Sequence, residues 1–200
     1  MFRPALPIRT ARLALRAVTL DDLDDVHAWQ RRTDVVRWMD GADPRTREQS
    51  RASVLAMSGE NALRVEGDCL TLAAATDAGV VGIVELVWRG ERDRVAELGY
   101  VFHPDNGGRG LATEAATAVM DWGFNEFDLH RIYARCHSRN EASARLMIRL
   151  GMRQEAHHVE SYLFRGEWAD QLVFAILAAE WRSRQQQAAA PASTRSSVSE

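Results

Sequence analysis

Three glycines, Gly107, Gly108 and Gly110, stand just ahead of Leu111-Ala112-Thr113-Glu114, where a strand-like run gives way to a helix with an apolar stripe. Glycine frees the backbone to curl, so successive amide N–H groups can turn inward at the helix N-terminus, where the macrodipole also favours negative charge. The chemistry this pattern suits is phosphate binding, with Arg109 adding charge at the rim. A steric reading stands beside it, because helices often begin after glycine without any ligand.

What the chain lacks narrows the kind of phosphate ligand. All 25 basic residues are arginine. A Walker loop ends in Gly-Lys-Ser/Thr and a Schiff-base enzyme needs a lysine amine, so neither chemistry is available in its usual form. A dinucleotide site is harder to set aside, since Gly108 and Gly110 supply two of its three glycines and Asp128 lies at a distance suited to a ribose acid. Its context differs. Thr113 replaces the third glycine, Asp128 precedes the next strand, and several strands without intervening helices come first.

Other reactive groups read as structural. Cys69 and Cys136 sit in apolar strand-like runs and are expected to be buried thiols in a reducing compartment. No metal-ligand spacing occurs, and the side chains of His157 and His158 diverge on a strand, so no metal is expected. Trp29, Trp38, Trp88 and Trp122 read as packing residues. A net charge of -3 without a basic block gives nothing to track a nucleic-acid backbone. The first nine residues carry two prolines and no apolar leader, and no run approaches a membrane span. The expectation is a cytoplasmic protein that meets neither membrane nor nucleic acid directly.

The elements that must position the loop follow from periodicity. Residues 13–17 alternate as a short strand, and Thr19-Leu20-Asp21-Asp22 opens a helix with Leu20, Leu23, Val26 and His27 on one face. A second helical region follows Asp43-Pro44 and runs to about Ala62. Residues 69–76, 80–88 and 95–102 read as an antiparallel meander. After the loop, Ala112, Ala115, Ala116, Val119, Gly123, Phe124 and Phe127 form a helical stripe. Then come a strand at 131–137, a helix at 141–150 ended by Gly151, and two strands within 152–177 joined near Arg165-Gly166-Glu167. From Ser183 the chain turns to Gln, Ala, Pro and Ser, with too few large apolar groups to offset ordering entropy, so residues 183–200 are expected to be a disordered tail after a single domain at 7–182.

The order of these segments carries a resemblance. Glu97-Leu98-Gly99-Tyr100-Val101-Phe102, then Gly108-Arg109-Gly110-Leu111-Ala112-Thr113-Glu114-Ala115, Leu129-His130-Arg131-Ile132, Asn140-Glu141-Ala142-Ser143 and Leu150-Gly151-Met152 resemble the GCN5-related N-acetyltransferase (GNAT) family. More narrowly they are similar to the RimJ/RimL type that acetylates ribosomal proteins, as are Gly166-Glu167-Trp168-Ala169-Asp170 and Glu180-Trp181. The resemblance spans about Pro7 to Trp181, and the pattern departs at Gly107.

The resemblance implies a mixed α+β fold: a twisted, mostly antiparallel sheet of about seven strands, flanked by helices, whose central strands at 95–102 and 131–137 splay to admit acetyl-CoA. Pantetheine amides can pair with strand backbone left open at such a splay, much as an added strand does. By resemblance, the backbone of Val101 and Phe102 would make these contacts, and Gly108, Arg109, Gly110, Leu111, Ala112 and Thr113 would hold the pyrophosphate. Glu97 is the candidate base that takes the amine proton, or else an outward-facing strand charge. Ser143 is the candidate that supports the departing thiolate, against an ordinary first-turn serine in a helix capped from Ser138. Asn140 would touch pantetheine or assist the helix start, and Tyr100 would touch substrate or pack in the core.

The expected reaction is direct transfer of acetyl from acetyl-CoA to a primary amine, with no metal. An α-amine with pKa near 8 costs only about 1 kcal/mol to deprotonate at pH 7, against about 4 to 5 for a lysine amine, and the subgroup points to protein N-termini. A small-molecule amine or peptide antibiotic is the alternative acceptor. A non-catalytic acyl-CoA sensor or partner-binding module is the alternative of another class. A homodimer is compatible with the pattern.

Overall fold

Short turns and alternating apolar residues make much of the chain extended, and its strands join side by side. The computed structural model describes residues 2–39 and 43–189. In chain order these form β1 (Ile8–Arg9), β2 (Ala14–Ala17), α1 (Leu23–Gln30), α2 (Thr33–Val36), α3 (Arg47–Gly59), β3 (Cys69–Thr76), β4 (Gly79–Gly90), β5 (Val95–Phe102), α4 (Leu111–Asn125), β6 (Arg131–His137), α5 (Glu141–Arg149), β7 (Arg153–Phe164), β8 (Glu167–Leu177) and α6 (Ala178–Ala189). The strands make one sheet of eight, ordered β1-β2-β3-β4-β5-β6-β8-β7, where about seven were expected. The additional strand, β1, has two residues, too few to show alternation.

Every neighbouring pair is antiparallel except β5 and β6. That parallel pair defines the site. It is in register only at Val95↔Arg131, Ala96↔Ile132 and Glu97↔Tyr133, after which the strands part. Strand β6 stays paired with β8 through His137, and β5 with β4 through Phe102, so the gap opens inside the sheet.

The period of two sorts β5 between two layers. Ala96, Leu98, Tyr100 and Phe102 face the larger core, with Ala115, Ala116, Val119, Met120 and Phe124 of α4 and Leu146 and Met147 of α5. Val101 faces the smaller core, with Val26 and Trp29 of α1 and Val54 of α3. The α4 stripe is buried from Ala115 onward, with Ala112 half-buried at its start, and Gly123 lets the helix sit close: a Cβ there would lie 3.1 Å from Leu129 and 3.3 Å from Leu86.

Two expectations are corrected. Leu20 does not join the buried face of the first helix, because Leu20–Asp22 is a 3-10 turn that leaves Leu20 exposed and buries Asp22. The cause is Arg16, whose guanidinium holds the Asp22 carboxylate at 2.6 and 2.8 Å while the Thr19 N–H donates to the same group. Helix α6 also runs seven residues into the segment expected to be disordered from Ser183. Its anchors are Trp181, which donates to Asp121 at 2.7 Å, and Arg182 and Arg184, which donate to the Phe124 and Arg149 carbonyls. The rest of that segment lies outside the described residues. Among the described residues no helix is long and apolar enough to cross a membrane.

Candidate active site

Gly108 and Gly110 have φ of +73° and +75°, the left-handed region that side chains disfavour, and Gly110 is the N-cap of α4. With no side chain to cap the helix, its first N–H groups are left for an external acceptor. Gly107 is required by space, since a Cβ there would stand 2.8 Å from the Pro104 carbonyl oxygen. The loop is braced from outside. Arg12 donates to the Arg109 carbonyl at 2.7 Å and through Nε to Glu114 at 2.7 Å, and Glu114 also accepts from the Thr10 hydroxyl at 2.6 Å and the Arg12 N–H at 2.8 Å. Burial alone would raise the Glu114 pKa, but these donors outweigh it and hold the carboxyl below its ordinary value.

A cavity of about 1400 Å³ opens over this loop, lined by Phe102, Gly107, Gly108, Gly110, Leu111, Ala112 and Thr113 and continuing to Leu146 and Arg149. Arg149, in the last turn of α5, brings Nε to 3.5 Å from the Thr113 hydroxyl, so a cation stands beside the open helix end. Sequence reading missed it. The only signal was an arginine two residues before Gly151, which becomes informative once α4 and α5 are known to be neighbours.

The fork itself is bridged by side chains. The hydroxyls of Tyr100, on β5, and Ser143, on α5, share a hydrogen bond of 2.8 Å, and the Tyr100 hydroxyl also donates to the Ser143 carbonyl at 3.2 Å. Burial raises the Tyr100 pKa, so the phenol stays protonated. Tyr100 is therefore on the larger-core side beside Ser143, in the packed surroundings that were one of its two expected settings. The cap of α5 is Asn140 and not Ser138: its Oδ1 accepts from the Ser143 N–H at 3.2 Å, leaving the Ser143 hydroxyl to other partners. Cys136 is among these, and burial pushes its thiol up to about 11, which keeps it an unreactive thiol.

Glu97 points the other way. Arg135 donates to it at 2.8 Å, Arg89 at 2.9 Å and the Tyr133 hydroxyl at 3.2 Å. Burial would raise its pKa, yet the two arginines prevail and hold the carboxyl below its ordinary value. A carboxylate so engaged is a poor proton acceptor near pH 7. Glu97 ties β4, β5 and β6 together at the closed end of the fork, and the expected role as base does not suit that surrounding.

A second cavity, about 500 Å³, reaches the open half of β6 from this face, lined by Trp38, Glu97, Arg135, His137, Tyr162 and Phe164 among others. His137 is its hub: ring centroids lie 5.0 Å from Trp38, 4.9 Å from Phe164 and 6.3 Å from Tyr162. Burial and then Arg139 lower its pKa, and its Nδ1 accepts from the Arg139 N–H at 3.0 Å. The neutral ring thus carries its proton on Nε2, a donor. Trp29, Trp88 and Trp122 are buried packing residues as expected, whereas Trp38 belongs to this pocket. His157 pairs with Asp170 at 2.6 Å.

The structure therefore brings Gly108, Gly110, Leu111, Ala112, Thr113 and Phe102 to one cavity, Ser143 and Tyr100 to the fork, and Glu97 to the opposite face. Residues 12–153 match a family model described as an acetyltransferase (GNAT) domain. The chain is 34% identical over 181 residues to the uncharacterized N-acetyltransferase YnaD of Bacillus subtilis (strain 168), covering 87% of this chain and 98% of that one. It superposes with a TM-score of 0.75 on a GNAT-family acetyltransferase from Bacillus anthracis, at 29% identity, over 90% of this chain and 99% of that one. A spermidine N-acetyltransferase from Vibrio cholerae, solved with CoA and spermine, gives a TM-score of 0.71 at 22% identity, over 86% and 99% of the two chains.

Proposed function

This chain is a member of the GNAT acetyltransferase family, an acyltransferase acting on amines, and on that premise we propose that it transfers acetyl from acetyl-CoA to an α-amino group carried next to a carbonyl and an apolar side chain. The observation that carries the reading is a pair of cavities beside the two arms of the fork, one over the glycine loop at Phe102 and the start of α4, the other on the open half of β6 at Arg135 and His137. One suits a phosphate-bearing donor and the other an acceptor, so the amine can meet the thioester through the gap.

On the donor side the residues fit CoA. The N–H groups of Leu111, Ala112 and Thr113, with Gly108 and Gly110 curling beneath them, would hold the pyrophosphate, and Arg149 would add the charge assigned by sequence to Arg109. The edges of β5 and β6 left open beyond Glu97 and Tyr133 would take the pantetheine amides through the backbone of Val101 and Phe102, with the Asn140 amide as a further donor. A backbone N–H on that edge would receive the oxyanion, and the Ser143 hydroxyl, itself oriented by Tyr100, would stabilise the sulfur as it leaves. The same reading makes 7–182 one catalytic domain and requires no metal.

On the acceptor side the pocket offers aromatic faces and a neutral donor, His137 Nε2–H. Its one lining carboxylate among the described residues, Glu97, is occupied by Arg89 and Arg135. A polyamine carries further cations beyond the reacting amine, and the lining of this pocket offers no unpaired carboxylate for them, which favours an acceptor with a single charge. An apolar or aromatic N-terminal residue suits it, whether of a protein, a peptide or a small molecule, and an α-amine near pKa 8 asks little of the base. CoA release measured with acetyl-CoA and a panel of amines tests this. Phenylalanyl and methionyl peptides should outpace spermidine and free lysine side chains by at least tenfold in kcat/KM, and a preference for spermidine would overturn the acceptor assignment.

A further inference from the structure

Strand β4 carries a second carboxylate on the face of the sheet that Glu97 occupies. Glu85 pairs across the sheet with Gly99, and because Gly99 has no side chain, the carboxylate leans over that position: a Cβ on Gly99 would lie 3.1 Å from Glu85 Oε2. Gly99 comes two residues after the last β5–β6 pair, at the point where the fork opens. Neighbouring Glu97 spends both oxygens on arginines, whereas among the described residues no cation or hydrogen-bond donor holds Glu85. From the juxtaposition of a lone carboxylate, a missing side chain and the fork, we propose that Glu85 is the catalytic base that receives the acceptor's ammonium proton. This rests on the transfer reaction proposed above.

The surroundings suit the task. Burial, and then the nearby Glu60 carboxylate at the end of α3, raise the Glu85 pKa above its ordinary value, toward the pH at which it must accept a proton. From β3, Thr71 donates its hydroxyl to Glu60, and the Cys69 thiol, pushed up to about 12 by burial, adds no charge. On β4 itself Arg89 is engaged by Glu97, and from α1 Asp25 is bound to the Val80 N–H at the far end of the strand.

The proton count closes. An ammonium acceptor gives one proton to Glu85, and the freed lone pair forms the N–C bond with the acetyl carbonyl carbon. The C–S bond breaks with its electron pair on sulfur, a second proton from nitrogen ends on that sulfur as the CoA thiol, and Glu85 returns its proton to solvent. The products are the amide, CoA and one proton.

The test is the pH dependence of kcat/KM in the parent, Glu85→Gln and Glu97→Gln, with acetyl-CoA affinity by calorimetry. Glu85→Gln should lower kcat/KM at pH 7 at least tenfold, leave acetyl-CoA affinity within twofold, and lose the acid limb of the profile, while Glu97→Gln keeps that limb. Parent-like kcat/KM and an intact acid limb in Glu85→Gln overturn the proposal. Gly99→Ala gives a second reading should Glu85→Gln fail to fold: its Cβ displaces the carboxylate, so turnover should fall with acetyl-CoA affinity retained, and unchanged turnover would count against the base. A parent that binds acetyl-CoA but acetylates no amine would refute the transfer reaction itself, a different failure from loss of the Glu85 effect.

Discussion

Tyr100 and Ser143 meet hydroxyl to hydroxyl at 2.8 Å, one on the strand that forms an arm of the fork and the other on the helix above it. Because the Ser143 N–H is bound to Asn140, the residue contributes its hydroxyl to the fork and only its backbone to the helix cap. Ser143→Ala should reduce kcat roughly a hundredfold, the usual effect of removing a preorganised donor, with melting temperature and acetyl-CoA affinity little changed. Asn140→Ala should show the reverse, a loss of about 1 kcal/mol in stability from the lost cap. Turnover and thermal unfolding on both variants check the pair, and parent-like turnover in Ser143→Ala removes it from the chemistry.

The phosphate end makes a separate prediction. Gly110→Asp puts a negative side chain at the helix start and should abolish measurable acetyl-CoA binding. Arg149→Ala should weaken it about tenfold, equivalent to about 1.4 kcal/mol, and should flatten the salt dependence of binding. Calorimetry at two ionic strengths decides, and full affinity in a folded Gly110→Asp protein places the cofactor elsewhere.

Glu97 is expected to matter for stability with a definite sign in pH. Its folded pKa is depressed, so its stabilisation is complete above the unfolded carboxylate value, about 4.3, and disappears as pH falls through the lower folded value. The melting temperature of the parent should exceed that of Glu97→Gln at pH 7, and the gap should begin to narrow as pH falls below the unfolded value of about 4.3. A gap that does not change over pH 3 to 7 would show that the arginine pairs contribute nothing through charge.

The acceptor pocket is tested by Trp38→Ala, which removes one aromatic wall next to His137. The KM for a phenylalanyl peptide should rise several-fold while acetyl-CoA affinity stays constant. An effect confined to acetyl-CoA affinity would mean that Trp38 acts only through the fold.

Much of the scaffold was legible because periodicity writes it directly: β5 and β6 fall at the expected residues, and the α4 stripe is the buried face. The glycine loop was legible for the same local reason, as only glycine rests easily at the φ of Gly108 and Gly110. What escaped were relations between distant residues. Arg149 reaches the loop only because α5 ends beside the start of α4, and the Glu97 carboxylate is held by Arg89 and Arg135, eight residues earlier and 38 residues later in sequence. Glu85 owes its position to a glycine on the adjacent strand, a pairing that depends on register. Helix α6 outran its weak composition because Trp181 and two arginines fasten it to other helices.

The meeting of donor and acceptor through the fork is tested most directly by the affinity of a single conjugate, CoA joined through an acetyl linker on its sulfur to the α-amine of a phenylalanyl peptide. If the two cavities open on one point, the conjugate should bind at least a hundredfold more tightly than CoA alone, and both Ser143→Ala and Trp38→Ala should still bind CoA normally. A conjugate that binds no better than CoA would contradict the account, because the acceptor pocket would then not open onto the thioester.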